Sequence, residues 1–215
     1  MKKSIFFCLL LAIAGIMATG CSGCQSGKKG QPKEQETYHD YDGVVQNFTA
    51  GVSHIQALHR QTMNRLVGGN AFEWRNSKVV FNDEITDENI DDLHITDVND
   101  VFCYVNGEGP WVQYVNSNVK EGVQIPWPVS DIWIEDGSMN NAEIKLSAED
   151  ALELLKEWNG VLPKGVKSIS LRLPVGPKGC NAQWVLGSIS DPLFIDAVTG
   201  EITDWCPAFP KPEKK

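Results

Sequence analysis

LSAEDALELLKEWNG, residues 146–160, is the stretch that decides the fold. Ser147 stands just before an apolar-periodic run, with Asp150 three residues on. Hydroxyl and carboxylate can therefore satisfy the first free backbone amides in a box-like N-cap. Ala151, Leu152, Leu154, Leu155 and Trp158 form the buried side of the helix, and Gly160 stops it. The period then shortens. Ile169, Leu171 and Leu173 alternate with polar residues, and so do Ala182, Trp184 and Leu186 beyond a turn at Pro174 to Asn181. Leu193 to Ile195 makes a last strand that ends in Asp196-Ala197-Val198-Thr199-Gly200-Glu201. There Asp196 can accept turn amides and Gly200 can take positive φ. A helix followed by antiparallel strands is an α+β unit.

The preceding residues show the same change of period. Val44, Val45, Phe48, Val52, Ile55, Leu58, Met63 and Leu66 recur mostly at three- and four-residue steps, an apolar stripe on a long helix that Gly68-Gly69-Asn70 ends. Lys78 to Phe81, Val101 to Val105 and Trp111 to Val115 read as strands, with Asn106 to Pro110 as the turn between the last two. Asp83 to Asp100 is acidic and reads as an exposed connection, and Ile132 to Glu135 as a further strand. The tail from Pro207 to Lys215 carries three prolines and four charges and is expected to fray.

The Ser-Ala-Glu-x-Ala helix start, the alternating strands with Trp184-Val185 and the closing Ile195-Asp196-Ala197-Val198-Thr199-Gly200-Glu201 resemble the PepSY domain over residues 146–204. The resemblance implies a helix packed on a small antiparallel sheet. It also implies a role in peptide binding or peptidase inhibition, and it transfers no catalytic residue. Residues 38–143 repeat the order of helix, Trp-bearing hairpin and closing strand, with Ile132 to Gly137 in the place of Leu193 to Ala197. The expectation is two diverged copies sharing one sheet, with 144–206 as the PepSY-like domain. The alternative is one continuous sheet with two helices on one face.

At the other end, Met1-Lys2-Lys3 and the apolar run Ile5 to Met17 have the layout of a cleaved export signal, shorter than the roughly 20 residues a membrane span needs. Ala18-Thr19-Gly20-Cys21 resembles a bacterial lipobox. That implies cleavage after residue 20 and lipid on Cys21, with membrane attachment through that lipid. Residues 21–37 are Gly, Ser, Lys, Gln and Glu rich and read as a flexible tether. The first residues after Cys21 lack an acidic run, so the periplasmic side of the envelope is expected.

Loss of the leader leaves 17 basic against 28 acidic residues, a balance of −11. Such a chain lacks the clustered Lys and Arg that nucleic acid requires. Of the remaining cysteines, Cys24, Cys103, Cys180 and Cys206, no two have zinc-ligand spacing, and neither metal nor other cofactor is expected. In an oxidising compartment Cys180 and Cys206 can close a loop around the last two strands; the alternative is four reduced, part-buried thiols.

His54 and His59 lie five residues apart, on different faces of the first helix, and read as surface histidines. No nucleophile elbow, metal-binding helix or phosphate loop appears, so a non-catalytic protein is expected. Asp91-Asp92 and Glu135-Asp136 read as solvated turns. Trp127 is held between Pro126 and Pro128, which confine the backbone to extended shapes. Exposed there with Trp133 or Trp74, an indole would suit a peptide or a sugar ring; otherwise Trp127 plugs the core edge.

Overall fold

The computed structural model describes residues 51–188 and 190–212. The leader, the tether, Cys21 and the helical positions Val44, Val45 and Phe48 lie outside these residues. The described residues form a mixed α+β fold with two helices and an open antiparallel sheet of nine strands. In order these are α1 (Val52–Leu66), β1 (Phe72–Phe81), β2 (Ile95–Asn106), β3 (Gly109–Asn118), β4 (Gly122–Gln124), β5 (Asp136–Gly137), α2 (Ala148–Glu157), β6 (Ser168–Pro174), β7 (Gln183–Ser188), β8 (Asp191–Asp196) and β9 (Ile202–Thr203).

The sheet runs β4-β3-β2-β1-β6-β7-β8-β9. It therefore reads outward in both directions from the β1–β6 pair, in which Ser77 opposes Leu171 and Val79 opposes Ile169. Both helices cover one face. Side chains alternate across a strand, so Val98, Asp100 and Phe102 of β2 share a face with Ser77 and Val79 of β1 and with Leu171 and Ile169 of β6. These residues join Val52, Ile55 and Met63 of α1 and Ala151, Leu152 and Leu155 of α2 around one core, apart from the polar Asp100 and Ser77.

Local chemistry explains the helix ends. Asp150 N–H donates to Ser147 Oγ at 3.2 Å and Ser147 N–H to Asp150 Oδ2 at 2.8 Å, the expected reciprocal cap. α1 has Gly51 at its N-cap and no side chain of its own there. The Val52 N–H instead donates to Glu149 Oε1 of α2 at 2.9 Å, so one helix caps the other.

Three expectations need correction. Ile132 to Glu135 form no strand; β5 is only Asp136–Gly137, wedged between the ends of β1 and β6 where β1 is bulged at Arg75. The acidic connection is shorter than expected, because β2 already begins at Ile95. The C-terminal residues described do not all fray: Ala208 is buried, and its carbonyl accepts from Lys178 N–H.

Replacing Ser147 by Ala should lower stability by about 1 kcal/mol. Truncating the buried Leu171 to Ala should lower it by about 2–5 kcal/mol through the cavity left at the β1–β6 junction. Urea unfolding of the two variants should reproduce that ranking.

Candidate binding surface

The helix-covered face holds a polar group that the sequence did not announce. His59 is fully buried, which corrects its reading as a surface residue; His54 is exposed. His59 Nδ1 lies 2.7 Å from Asp100 Oδ2, and Nε2 lies 2.7 Å from Ser117 Oγ. A carboxylate can only accept, so Nδ1 donates to it; in the neutral ring Nε2 is left to accept from the serine hydroxyl. The Trp74 indole N–H donates to Asp100 Oδ1 at 3.2 Å, and Gln56 Nε2 donates to Ser77 Oγ at 2.8 Å beside it.

This order of groups is the one that activates a serine for acyl transfer. Here all three side chains are shut between α1 and the sheet, and none of them lines any of the surface cavities described below. What the geometry does is fasten α1 to β2 and β3. Arg60 extends the cluster by lying 4.9 Å over the Trp74 ring. Burial pulls its guanidinium down from the ordinary value, against the opposing pull of Asp100.

Trp74 is therefore not available to a ligand: it is 3% exposed and committed to the core. Trp127 is 61% exposed on the segment after β4, so it does not plug the core edge. Gln113 Nε2 fixes that segment by donating to Pro126 O at 2.7 Å, and Val112 and Val129 exchange backbone hydrogen bonds. Trp133 is half-buried further along. Around it Val105, Val129, Ile132 and Ile134 are exposed, Ile134 to 80%.

The helix-free face carries two large cavities. One, about 380 Å³, is lined by Glu73, Arg75, Cys103, Trp111, Asp131 and Trp133 among others. The other, about 440 Å³, lies over β6, β7 and β8, between Arg172, Val185, Pro192 and Phe194. A smaller hollow flanks Trp133 on its far side, with Tyr114 and Ile134.

Asp136 of β5 braces the region between the two large cavities. Its carboxylate pairs with Arg172 Nε at 2.7 Å and accepts from Asn76 Nδ2 at 3.1 Å, while its carbonyl accepts from Arg75 Nη1 at 3.0 Å. Of the Glu135-Asp136 pair, only Glu135 is solvated; Asp136 is buried. Asp91 and Asp92 are both exposed. Arg75 also pairs with Glu73. Burial pushes the Cys103 thiol above its ordinary range, and the nearby Arg75 guanidinium and Trp133 backbone N–H offset this only in part. The sequence signal for this brace was a single buried-strand-like Arg, too common to single out.

Asp196 behaves as the closing motif requires. Its carboxylate accepts the backbone amides of Val198 and Thr199, both at 2.9 Å, and the side-chain amides of Asn181 and Gln183. Burial pushes its pKa up, but those hydrogen bonds together outweigh burial and hold it below the usual carboxylate value. Cys180 and Cys206 are both free thiols. Burial raises the Cys180 pKa, and the neighbouring Cys206 adds to the rise. Among the described residues no cluster of metal-ligating side chains occurs, and no helix is long and apolar enough to cross a membrane.

His59→Ala should cost about 3–5 kcal/mol, because it leaves Asp100 buried without its partner. The His59→Ala, Asp100→Ala double variant should cost less than the sum of the single changes in chemical denaturation. Asp196 has a lower pKa folded than unfolded, so it stabilises above the unfolded value of about 3.9, and that contribution fades as pH falls through the folded value. Asp196→Asn should accordingly flatten the loss of stability below about pH 4, read by thermal melts across pH. Comparison with family models, with curated proteins and with solved structures finds no match to this chain.

Proposed function

We propose that this chain is a lipid-anchored, non-catalytic protein of the cell envelope, facing the periplasm, that binds a peptide or protein through the helix-free face of its sheet. The observation that carries this reading is the division of the sheet into two unlike faces. One face is sealed by both helices; the other holds both large cavities and borders the exposed apolar segment from Trp127 to Ile134. Exposed apolar area concentrated in one place is a mark of an interaction site.

The PepSY-like reading of residues 146–204 is supported by the α-β-β-β order of α2, β6, β7 and β8 and by the amide cage around Asp196. A diverged first copy is supported by the same order in α1, β1, β2 and β3. In that alignment Trp111 sits on a third strand and Trp184 on a second, so the two tryptophans are not counterparts. Inhibition of a peptidase is one form the binding would take. Addition of a peptide strand to a sheet edge is the weaker form, because the outer strands β4 and β9 offer only three and two residues.

In an oxidising envelope the neighbouring Cys180 and Cys206 thiols would pair as a disulfide, handing two electrons to a thiol oxidant of that compartment. Peptide mapping without reductant should then yield a linked 180–206 fragment; two free thiols would refute the pairing.

A second reading has its own support: an indole held out between two prolines suits a sugar ring, which would make the chain a carbohydrate-binding accessory. Cross-linking in envelope extract decides between them. A protein partner whose capture is lost in Trp127→Ala together with Ile134→Ser supports the first reading. Glycan-array binding lost in Trp127→Ala supports the second. Mass spectrometry of the native N-terminus should show an acylated Cys21.

A further inference from the structure

Two Asn–Gly dipeptides occur in the chain, Asn106-Gly107 and Asn159-Gly160. An asparagine before glycine can react with its own backbone. The glycine nitrogen adds to the side-chain amide carbon, ammonia leaves, and water opens the resulting five-membered imide. Opening at one carbonyl gives aspartate; opening at the other gives isoaspartate, in which the main chain runs through the former side chain. The reaction is favoured where the next residue has no Cβ to crowd the ring and where the asparagine is free to turn onto that nitrogen.

The fold treats the two sites differently. Asn106 ends β2 opposite Gly109 of β3, and its Oδ1 accepts the Glu108 N–H at 2.9 Å and the Trp111 indole N–H at 2.8 Å. Backbone and side chain are both held. Asn159 lies beyond the end of α2, in neither helix nor strand, and is exposed. Among the described residues its side chain has no hydrogen-bond partner and the Gly160 N–H has no backbone acceptor. Glycine is required at 160 for a separate reason: a Cβ there would lie 2.1 Å from the Trp158 ring, which packs against the core. Packing thus retains a reactive pair at an unguarded position.

We infer that Asn159 is a self-modifying site, converted to aspartate and isoaspartate through attack by the Gly160 nitrogen, while the β2–β3 hairpin protects Asn106. The Gly160 proton passes to solvent, the side-chain nitrogen departs as ammonia and one water is consumed, with no oxidant or cofactor. Either product puts a carboxylate beside the C-terminus of α2, where the last carbonyls already carry partial negative charge. Isoaspartate also adds a carbon to the main chain at residue 159 and so moves Gly160 off the indole it touches. Both changes weaken the end of α2.

The test incubates the full chain in a neutral detergent, warm and mildly alkaline, both folded and in urea, and maps tryptic peptides by mass spectrometry. Cleavage at Lys156 and Lys164 isolates Glu157 to Lys164, which reports on Asn159 alone. Conversion of Asn159 should be at least tenfold faster than that of Asn106 in the folded chain, and similar to it in urea, where neither is held. An isoaspartate-specific methyltransferase should label residue 159. Trp111→Phe, which removes a donor to Asn106, should speed conversion at 106 and leave 159 unchanged. The aged chain should melt below the fresh one, whereas Asn159→Gln should keep its melting temperature through the same incubation. An Asn159 that stays intact in the folded chain, or is converted no faster than Asn106, would overturn the inference. A preference for Asn159 that persists in urea would place the cause in the flanking residues rather than the fold, and would overturn it too.

Discussion

The antiparallel pairing of β1 with β6 is the interaction on which the architecture depends. Each half brings one helix and a run of antiparallel strands, and each alone would leave a long edge of free backbone groups beside its first strand. Joining those two edges satisfies both and puts α1 and α2 over one face, where their apolar sides share a core. The outermost strands are then β4 and β9, too short to template another chain for any distance. Closure at the centre and brevity at the rims are two consequences of the same junction.

Unlike faces follow from that arrangement. The covered face tolerates a buried histidine and aspartate only because every polar atom of the pair finds a partner at close range. On the opposite face, the bulge at Arg75 parts the ends of β1 and β6, and β5 fills the gap with a carboxylate held by Arg172 and Asn76. That brace fixes the chain on the C-terminal side of the Trp133 segment. The backbone bridge between Val112 and Val129 fixes the other side. The apolar residues between them are exposed on a segment anchored at both ends, so little chain entropy would be lost on ordering them further.

What could be read from the sequence was what is local. The capping box at Ser147 and Asp150, the alternation around Leu171 and Trp184 and the Asp196 turn all lie within a few residues of their partners, and each formed as expected. Illegible features depended on distant residues. Asp100 resembles loop until His59, 41 residues before it, supplies a buried partner. Ile132 to Glu135 has strand-like alternation, yet no strand is free to pair with it, so its isoleucines face solvent instead. Among the tryptophans, Trp127 was marked by its prolines. Trp74 carried no local sign that Arg60 and Asp100 would enclose it.

The carboxylate of Glu149 caps α1 from the other half of the molecule. The point where the N-terminal segment enters the folded body is thus fastened to a helix almost 100 positions away in sequence. Mechanical tension applied through that segment would load both this seam and the packing of α1 on β2 and β3, where His59 holds it. Both anchorages lie on the helix-covered side of the sheet, so the load would reach the helix-free face only through the strands themselves.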